Sequence, residues 1–423
     1  MDYFAVGGRP LLSRFPPYLP GSFAPKLQDP CSSSTQQFPD DIEAEEATAL
    51  ENLERGGATS SALEAASRDQ CVKAPSVVVA AGMMAATDDM AHAEQAVKAP
   101  TALHTAFDPK EVGAWEPCRF EMVRKLQDAT RNRGQVHLMR DTSGDRLVAV
   151  KQMPTRWVRR CHSDFIIEHP TETEMPWQDV GCVRFLNDVG YPYACTLLGL
   201  YRDDVHTYVV TSFASEGDLF SWCEVGVPPG LEREVVVHPL ARQMMEGMQQ
   251  LHDLSIVHRD ISLENILLSK LDDDSLRIRI IDFSMASTSR RFRNCVRGKA
   301  SYQAPELHTD GEYDAFLSDA FSLGVTLYAL LLKDYPWLST RPGGCKCFEY
   351  VRKHGFRSYL AKRKLRNSQA RVADVMSEPL KQLLEGMLAL DPADRLTLGE
   401  RVWSVDGARK SVWDEPWMHH RTV

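Results

Sequence analysis

The hydrophobic period of this chain passes from two residues in its first patterned part, where one helix is set among the strands, to nearly four in its second, and that change excludes most architectures. "FEMVRKL" from Phe120 alternates apolar and polar residues as a half-buried strand does. "GQVHLM" and "RLVAVKQM" form two more strands around a turn at "DTSGD", and "HTYVVTSF" is a further one. One helix interrupts this run at about 176 to 189, opened by Pro176 and closed near Gly190. After "EGDLFSW" the period is helical, in "HPLARQMMEGMQQLHDL", "DAFSLGVTLYALLL" and "PLKQLLEGMLAL". Strands gathered first and helices after predict an α+β fold of two lobes.

Residues 1–115 differ from this pattern. Pro, Ser, Gly and Ala dominate, and an acidic patch, "DDIEAEEATALENLER", has loosely helical spacing. A low-complexity, mostly disordered tail with transient helix is expected there. The folded part is expected at 120–418, strand-rich over about 120–212 and helical over about 215–418.

Composition narrows the function classes. A net charge of −9 argues against nucleic acid as a partner. Ten cysteines without a C-x-x-C pair argue against a zinc site or a compact disulfide framework, so reduced thiols in the cytoplasm, or in the nucleus, are expected. The start "MDYFAVGGRPLLSRFPPYLPG" lacks a basic segment followed by an apolar core, so no secretory leader is expected. The longest apolar stretches, Val77 to Ala86 and "LGVTLYALLL", fall short of the roughly 20 residues of a membrane span.

Four short motifs occur in order: Lys151 ending "VAVK", Asp260 and Asn265 in "HRDISLEN", Asp282 opening "DFS", and Ala304 to Glu306 in "APE". Each suits phosphoryl transfer, which needs charge neutralised and atoms aligned more than it needs covalent chemistry. Lys151 is a cation for phosphates. Asp282 and Asn265 offer hard oxygen ligands for Mg2+. Asp260 is a carboxylate that can take a hydroxyl proton.

In this order and spacing the motifs resemble the eukaryotic protein kinase family over about 120 to 418. The resemblance implies a bilobal fold, ATP and Mg2+, and protein substrates. It implies a nucleotide cleft lined by Leu126, Gly134, Val136 and Ala149, with Thr211 as gatekeeper, Phe213 and Ala214 facing adenine, and Asp218 reaching the ribose. It gives Asp319 the task of holding the catalytic loop, and makes Glu306 and Arg395 a buried ion pair. Transfer to serine or threonine is implied; tyrosine is disfavoured by Glu264, four residues after Asp260, and dual specificity stays open.

Departures from the family pattern keep a second reading alive, a pseudokinase serving as a nucleotide-binding scaffold. In "LQDATRNRGQV", Gln127 and Ala129 stand where glycines would let backbone approach phosphates, and Arg131 and Arg133 are candidate charges instead. Asp179 is the best partner for Lys151 where a glutamate is usual; Glu174 is the alternative. The connection from strand to helix, "QMPTRWVRRCHSDFIIEHPTETEM", reads as a long loop. Ser284 replaces a glycine. Arg259 is the residue that would bind a phosphothreonine, with Ser287, Thr288, Ser289 and Ser301 as possible phosphosites. Ser262 stands where a lysine is usual, and Lys299 stands where a threonine is usual; the two positions meet in the family fold, so Lys299 is expected to supply the missing cation. The basic stretch 351–367 is read as a docking surface for acidic partners or as a solvated face, and "KRKLR" weakly resembles a nuclear-localisation run.

Overall fold

The computed structural model describes residues 98–129, 133–366, 368–405 and 407–419. The acidic patch, Val77 to Ala86 and Arg131 lie outside them.

The first lobe is a twisted sheet in the order β1-β5-β6-β4-β3-β2. Its strands are β1 (Gly113–Ala114), β2 (Phe120–Ala129), β3 (Gly134–Asp141), β4 (Arg146–Pro154), β5 (Leu197–Arg202) and β6 (His206–Ser212). All pairs are antiparallel except β1 with β5. In the central register Lys151 lies opposite Val136 on one side and Val209 on the other, while Ala149 faces Leu138 and Thr211. Val148, Val150 and Met139 point into one apolar cluster, and alternation leaves Lys151 on the opposite face of the sheet, where the cleft forms. Register shifts in β2, around Val123 and Leu126, mark bulges that bend its outer end over that cleft.

The segment between β4 and the long helix is not the loop expected from sequence. It contains two short helices, α1 (Thr155–Val158) and α2 (His162–Glu168). Trp157, Val158 and Phe165 anchor them in a cluster with Trp177 and Val180. Single aromatic anchors in a polar segment leave no periodic trace, so tertiary packing decides here. Helix α3 (Pro176–Asp188) follows, with Pro176 in its first turn.

Strand β5 also escaped the sequence reading. It is six residues long with Gly199 inside, and most of it is only partly buried, so neither composition nor alternation distinguishes it. The expected tail boundary at 115 also moves. Residues 98–115 belong to the folded domain: Leu103 is fully buried, Phe107 is buried, and Gly113–Ala114 form β1.

The second lobe is helical: α4 (Leu219–Glu224), α5 (Leu231–Asp253), α6 (Ala315–Leu332), α7 (Lys346–His354), α8 (Phe356–Lys362), α9 (Glu378–Met387), α10 (Arg401–Val405) and α11 (Pro416–His419). Helix α5 begins two turns before Pro239, which it contains. The carbonyl that Pro239 leaves without its usual donor belongs to exposed Val235. All of α6 but Ser322 is buried. Its apolar composition would suit a membrane span, yet it is the central helix of this lobe. Two antiparallel two-stranded ribbons complete this lobe, β7 (Ile266–Lys270) with β8 (Leu276–Ile280), and β9 (Arg291–Arg293) with β10 (Glu312–Asp314).

Among the described residues seven cysteines are free.

Candidate active site

Three elements converge on Lys151. Its ammonium on β4 lies 3.5 Å from Asp179 Oδ2 on α3. The other Asp179 oxygen accepts the Phe283 backbone N–H at 2.9 Å. One carboxylate thus ties together sheet, helix and the "DFS" turn. Burial alone would lower the Lys151 pKa, but Asp179, Asp282 and Glu174 outweigh it and raise it, so the side chain is a cation. Asp179, not Glu174, makes the direct contact; Glu174 acts on Lys151 through its charge, from just before the helix.

The Asp282 carboxyl is pushed up by burial, but Lys151 and the Ser284 hydroxyl outweigh this and hold it below its ordinary value. Ser284 Oγ donates to Asp282 Oδ1 at 2.6 Å. The left-handed residue in this turn is Asp282 (φ 64), and Ser284 is not among the positive-φ residues. Replacing glycine by serine at 284 therefore costs no backbone strain in this conformation and adds a bond. Phe283 is buried against His258.

The catalytic-loop candidate hangs from α6. Asp319 accepts the backbone N–H groups of His258 (2.7 Å) and Arg259 (2.9 Å). Those bonds hold Arg259 at φ 70. Asp260 N–H donates to His258 Nδ1 at 3.3 Å, so Nε2 carries the proton that Ile281 O accepts at 3.1 Å. Asn265 donates its amide N–H groups to Asp260 O (2.7 Å) and Asp260 Oδ2 (3.2 Å). Its amide oxygen remains for a cation. Behind Asp319, His252 lies between Asp319 Oδ2 (3.1 Å) and Glu400 Oε1 (2.7 Å). Burial disfavours its charged form, but these two carboxylates raise it to about 9.

Lys299 Nζ donates to Ser262 Oγ at 2.7 Å and pairs with Glu264 Oε2 at 3.1 Å. The approach depends on Gly298 (φ +83): a Cβ there would stand 2.9 Å from Arg259 O. Arg395 forks onto Glu306 at 2.5 and 2.9 Å.

Thr211 and Ala149 are register partners, and Ala214 is buried just past β6. Phe213 and Leu126 are partly buried, and Gly134 pairs with Ala129 at the end of the β2–β3 ladder. Asp218 does not reach freely outward. Its carboxylate caps α4, accepting Ser221 N–H at 2.7 Å. Strand β7 lashes this hinge down through Leu268, which bonds Gly217 O and the Glu216 N–H.

Several residues of the two basic clusters are paired within the fold. Arg259 lies 4.0 Å over the Phe292 ring and donates to Cys295 Sγ at 2.9 Å. Burial lowers its pKa to about 10. Arg290 pairs with Asp314 and lies over Trp403. In 351–367, Arg357 bonds Glu378 and Glu385, Arg363 bonds Asp334, and Lys362 lies over Tyr350. Of the candidate phosphosites, Thr288 donates to Thr101 O (2.8 Å) and Ser301 to Leu338 O (3.1 Å).

A two-lobed fold with a lysine–carboxylate pair, a loop aspartate bonded to an asparagine, and an aspartate opening the "DFS" turn is the arrangement of a protein kinase domain. Residues 132–405 match the protein kinase domain family, and the chain belongs to that family. Similar proteins include "Protein kinase kin1" of Schizosaccharomyces pombe, 28% identical over 231 residues (54% of this chain, 22% of that protein). "Serine/threonine-protein kinase kin-29" of Caenorhabditis elegans is 27% identical over 241 residues (56% of this chain, 25% of that protein). "Serine/threonine-protein kinase SRK2E" of Arabidopsis thaliana is 26% identical over 284 residues (67% of this chain, 69% of that protein). The chain spans about a quarter of the length of the first two.

Proposed function

We propose that this protein transfers the γ-phosphate of ATP to serine or threonine hydroxyls of protein substrates. One observation carries the reading: Asp179 bridges Lys151 Nζ and the Phe283 N–H, which holds Lys151, α3 and Asp282 in a single assembled cleft. Lys151 holds the α- and β-phosphates of ATP. Asp260 orients the substrate hydroxyl and takes its proton. Asn265 keeps that carboxylate in place through its amide N–H.

The donor set fits Mg2+, with one buried carboxylate held anionic at Asp282 and one amide oxygen at Asn265. Magnesium, when bound, supplies positive charge against the phosphate oxygens. Lys299 gives the catalytic loop the cation that Ser262 cannot, and Glu264 orients it.

The test compares γ-phosphate transfer to a mixed protein substrate by the parent and by Asp260→Asn. Loss of at least about 10²-fold in kcat supports the reading, and equal rates reject it. A second reading, a nucleotide-binding scaffold, is favoured by Gln127 and Ala129, whose side chains flank the phosphate loop. A thermal shift with Mg-ATP but no transfer by the parent selects the scaffold.

A further inference from the structure

The residues just before the sheet form a strap across the back of α3. Ala99 N–H donates to Leu254 O (3.0 Å), at the end of α5 in the helical lobe. Thr101 O accepts the Thr288 hydroxyl (2.8 Å), from the segment after "DFS". Leu103 is fully buried against Cys182, Phe185 and Leu186. His104 stacks on His162 at 3.7 Å, and Phe107 enters the cluster of Trp177 and Val180. The strap therefore touches both lobes, the start of the activation segment and the helix that carries Asp179.

The contact with α3 is backbone against backbone. At Gly181 an added Cβ would lie 2.2 Å from Leu103 O and 2.8 Å from His104 Cα. Only glycine lets the strap come that close. Successive helical residues turn by about 100°, so Gly181 and Asp179, two apart, project from nearly opposite faces. The strap backs the helix on the side away from Lys151. Gln178, on the flank, donates to Ala286 O (3.0 Å) and fixes the helix against the "DFS" segment.

The partner of Lys151 is an aspartate, one methylene shorter than glutamate. Its carboxylate reaches Lys151 only from a helix seated close to the sheet, and the pair stands at 3.5 Å. We infer that residues 99–107 are a positioning segment that seats α3, with Gly181 as the point of contact and the Lys151–Asp179 pair as the distance being set. The inference rests on the phosphotransfer reading of that pair. Gly181 and Leu103 touch no substrate; they act through Asp179.

The experiment uses the full chain with Gly181→Ala, Leu103→Ala, and each combined with Asp179→Glu. Displacing the strap lowers kcat by about tenfold or more, since misplacements of about 1 Å are that costly, while KM for the protein substrate stays within about twofold. With the strap pushed off, α3 loses its backing and recedes from the sheet; the longer carboxylate then spans the widened gap, so Asp179→Glu restores most of the lost kcat in both backgrounds. A helix variant that harmed only folding would gain nothing from a change on the opposite face. Kinetics are read beside melting temperature and amide exchange over residues 180–186. Unchanged kcat in Gly181→Ala, or loss without rescue at a parental melting temperature, overturns the proposal. If the parent itself transfers no phosphate, the activity reading fails, and amide exchange decides the strap alone. Faster exchange over residues 180–186, slowed again by Asp179→Glu, supports it; unchanged exchange overturns it.

Discussion

Lys299 Nζ stands 2.7 Å from Ser262 Oγ, 37 residues apart in sequence and joined in the groove beside Asp260. Glu264 Oε2, at 3.1 Å, balances the ammonium. The expected consequence concerns rate more than stability, because Lys299 and Glu264 are both partly exposed and such pairs contribute at most about 1 kcal/mol. Lys299→Met is expected to lower kcat sharply, by about tenfold or more, with little change in melting temperature. The exchange Ser262→Lys with Lys299→Thr is expected to recover much of it. Activity of Lys299→Met within about twofold of the parent would remove the assigned role.

His252 makes stability depend on pH in the neutral-to-alkaline range. Its pKa is about 9 in the folded protein, raised from the ordinary 6.5. A group whose folded pKa is raised stabilises fully below its unfolded value and loses that contribution as pH climbs through the folded one. The full effect is therefore present below about pH 6.5 and gone above about 9, at most roughly 3 kcal/mol. Urea midpoints at pH 6.5 and pH 9.5 measure it, and His252→Asn is expected to flatten the difference. Equal midpoints for the parent at the two pH values would contradict it.

Glu306 and Arg395 form a forked pair with the Arg395 side chain fully buried. Arg395 also donates to Leu317 O and Ala389 O, so it joins the "APE" turn to α6. Glu306→Ala leaves that cation without its anion, an expected cost of about 3–5 kcal/mol in chemical denaturation. Replacing both by leucine is expected to cost less than the single change, because no charge is stranded. A single-mutant cost under about 1 kcal/mol would show the pair to be solvated.

Arg259 offers no open cradle for a phosphate. Its guanidinium is covered by Phe292 at 4.0 Å and bonded to Cys295 Sγ. The segment from Asp282 to Glu306 is thereby held by aromatic and backbone contacts. Treating the purified protein with a phosphatase is expected to leave kcat within about twofold, whereas Phe292→Ala is expected to lower it several-fold by freeing Arg259. A large loss on dephosphorylation would refute this.

Much of the site was legible in the sequence because its chemistry is local. Asp260 and Asn265 lie within one turn of loop, and their bond follows from that spacing. Asp282 follows an apolar strand that must end at the cleft. The Asp179 assignment was also readable, since helical period puts it on the face of Leu186. Other features carried no local signal. Asp218 was expected to face the ribose, yet its side chain caps α4, a choice made by the backbone geometry of that one turn. In the basic stretch 351–367, the partners of Arg357 and Arg363 are Glu378, Glu385 and Asp334, which come from outside the stretch and leave no local signal.

The sequence by itself determined the two-lobed α+β class and the order of the phosphotransfer residues, because hydrophobic period and motif spacing report what each segment buries and which chemistry it brings. Only the tertiary structure decided that residues 99–107 strap α3 and that Gly181 receives the Leu103 carbonyl. Those contacts join segments far apart in the chain, made by single anchors or by bare backbone. Neither leaves a periodic pattern, and their energy appears only once packing brings the partners within reach.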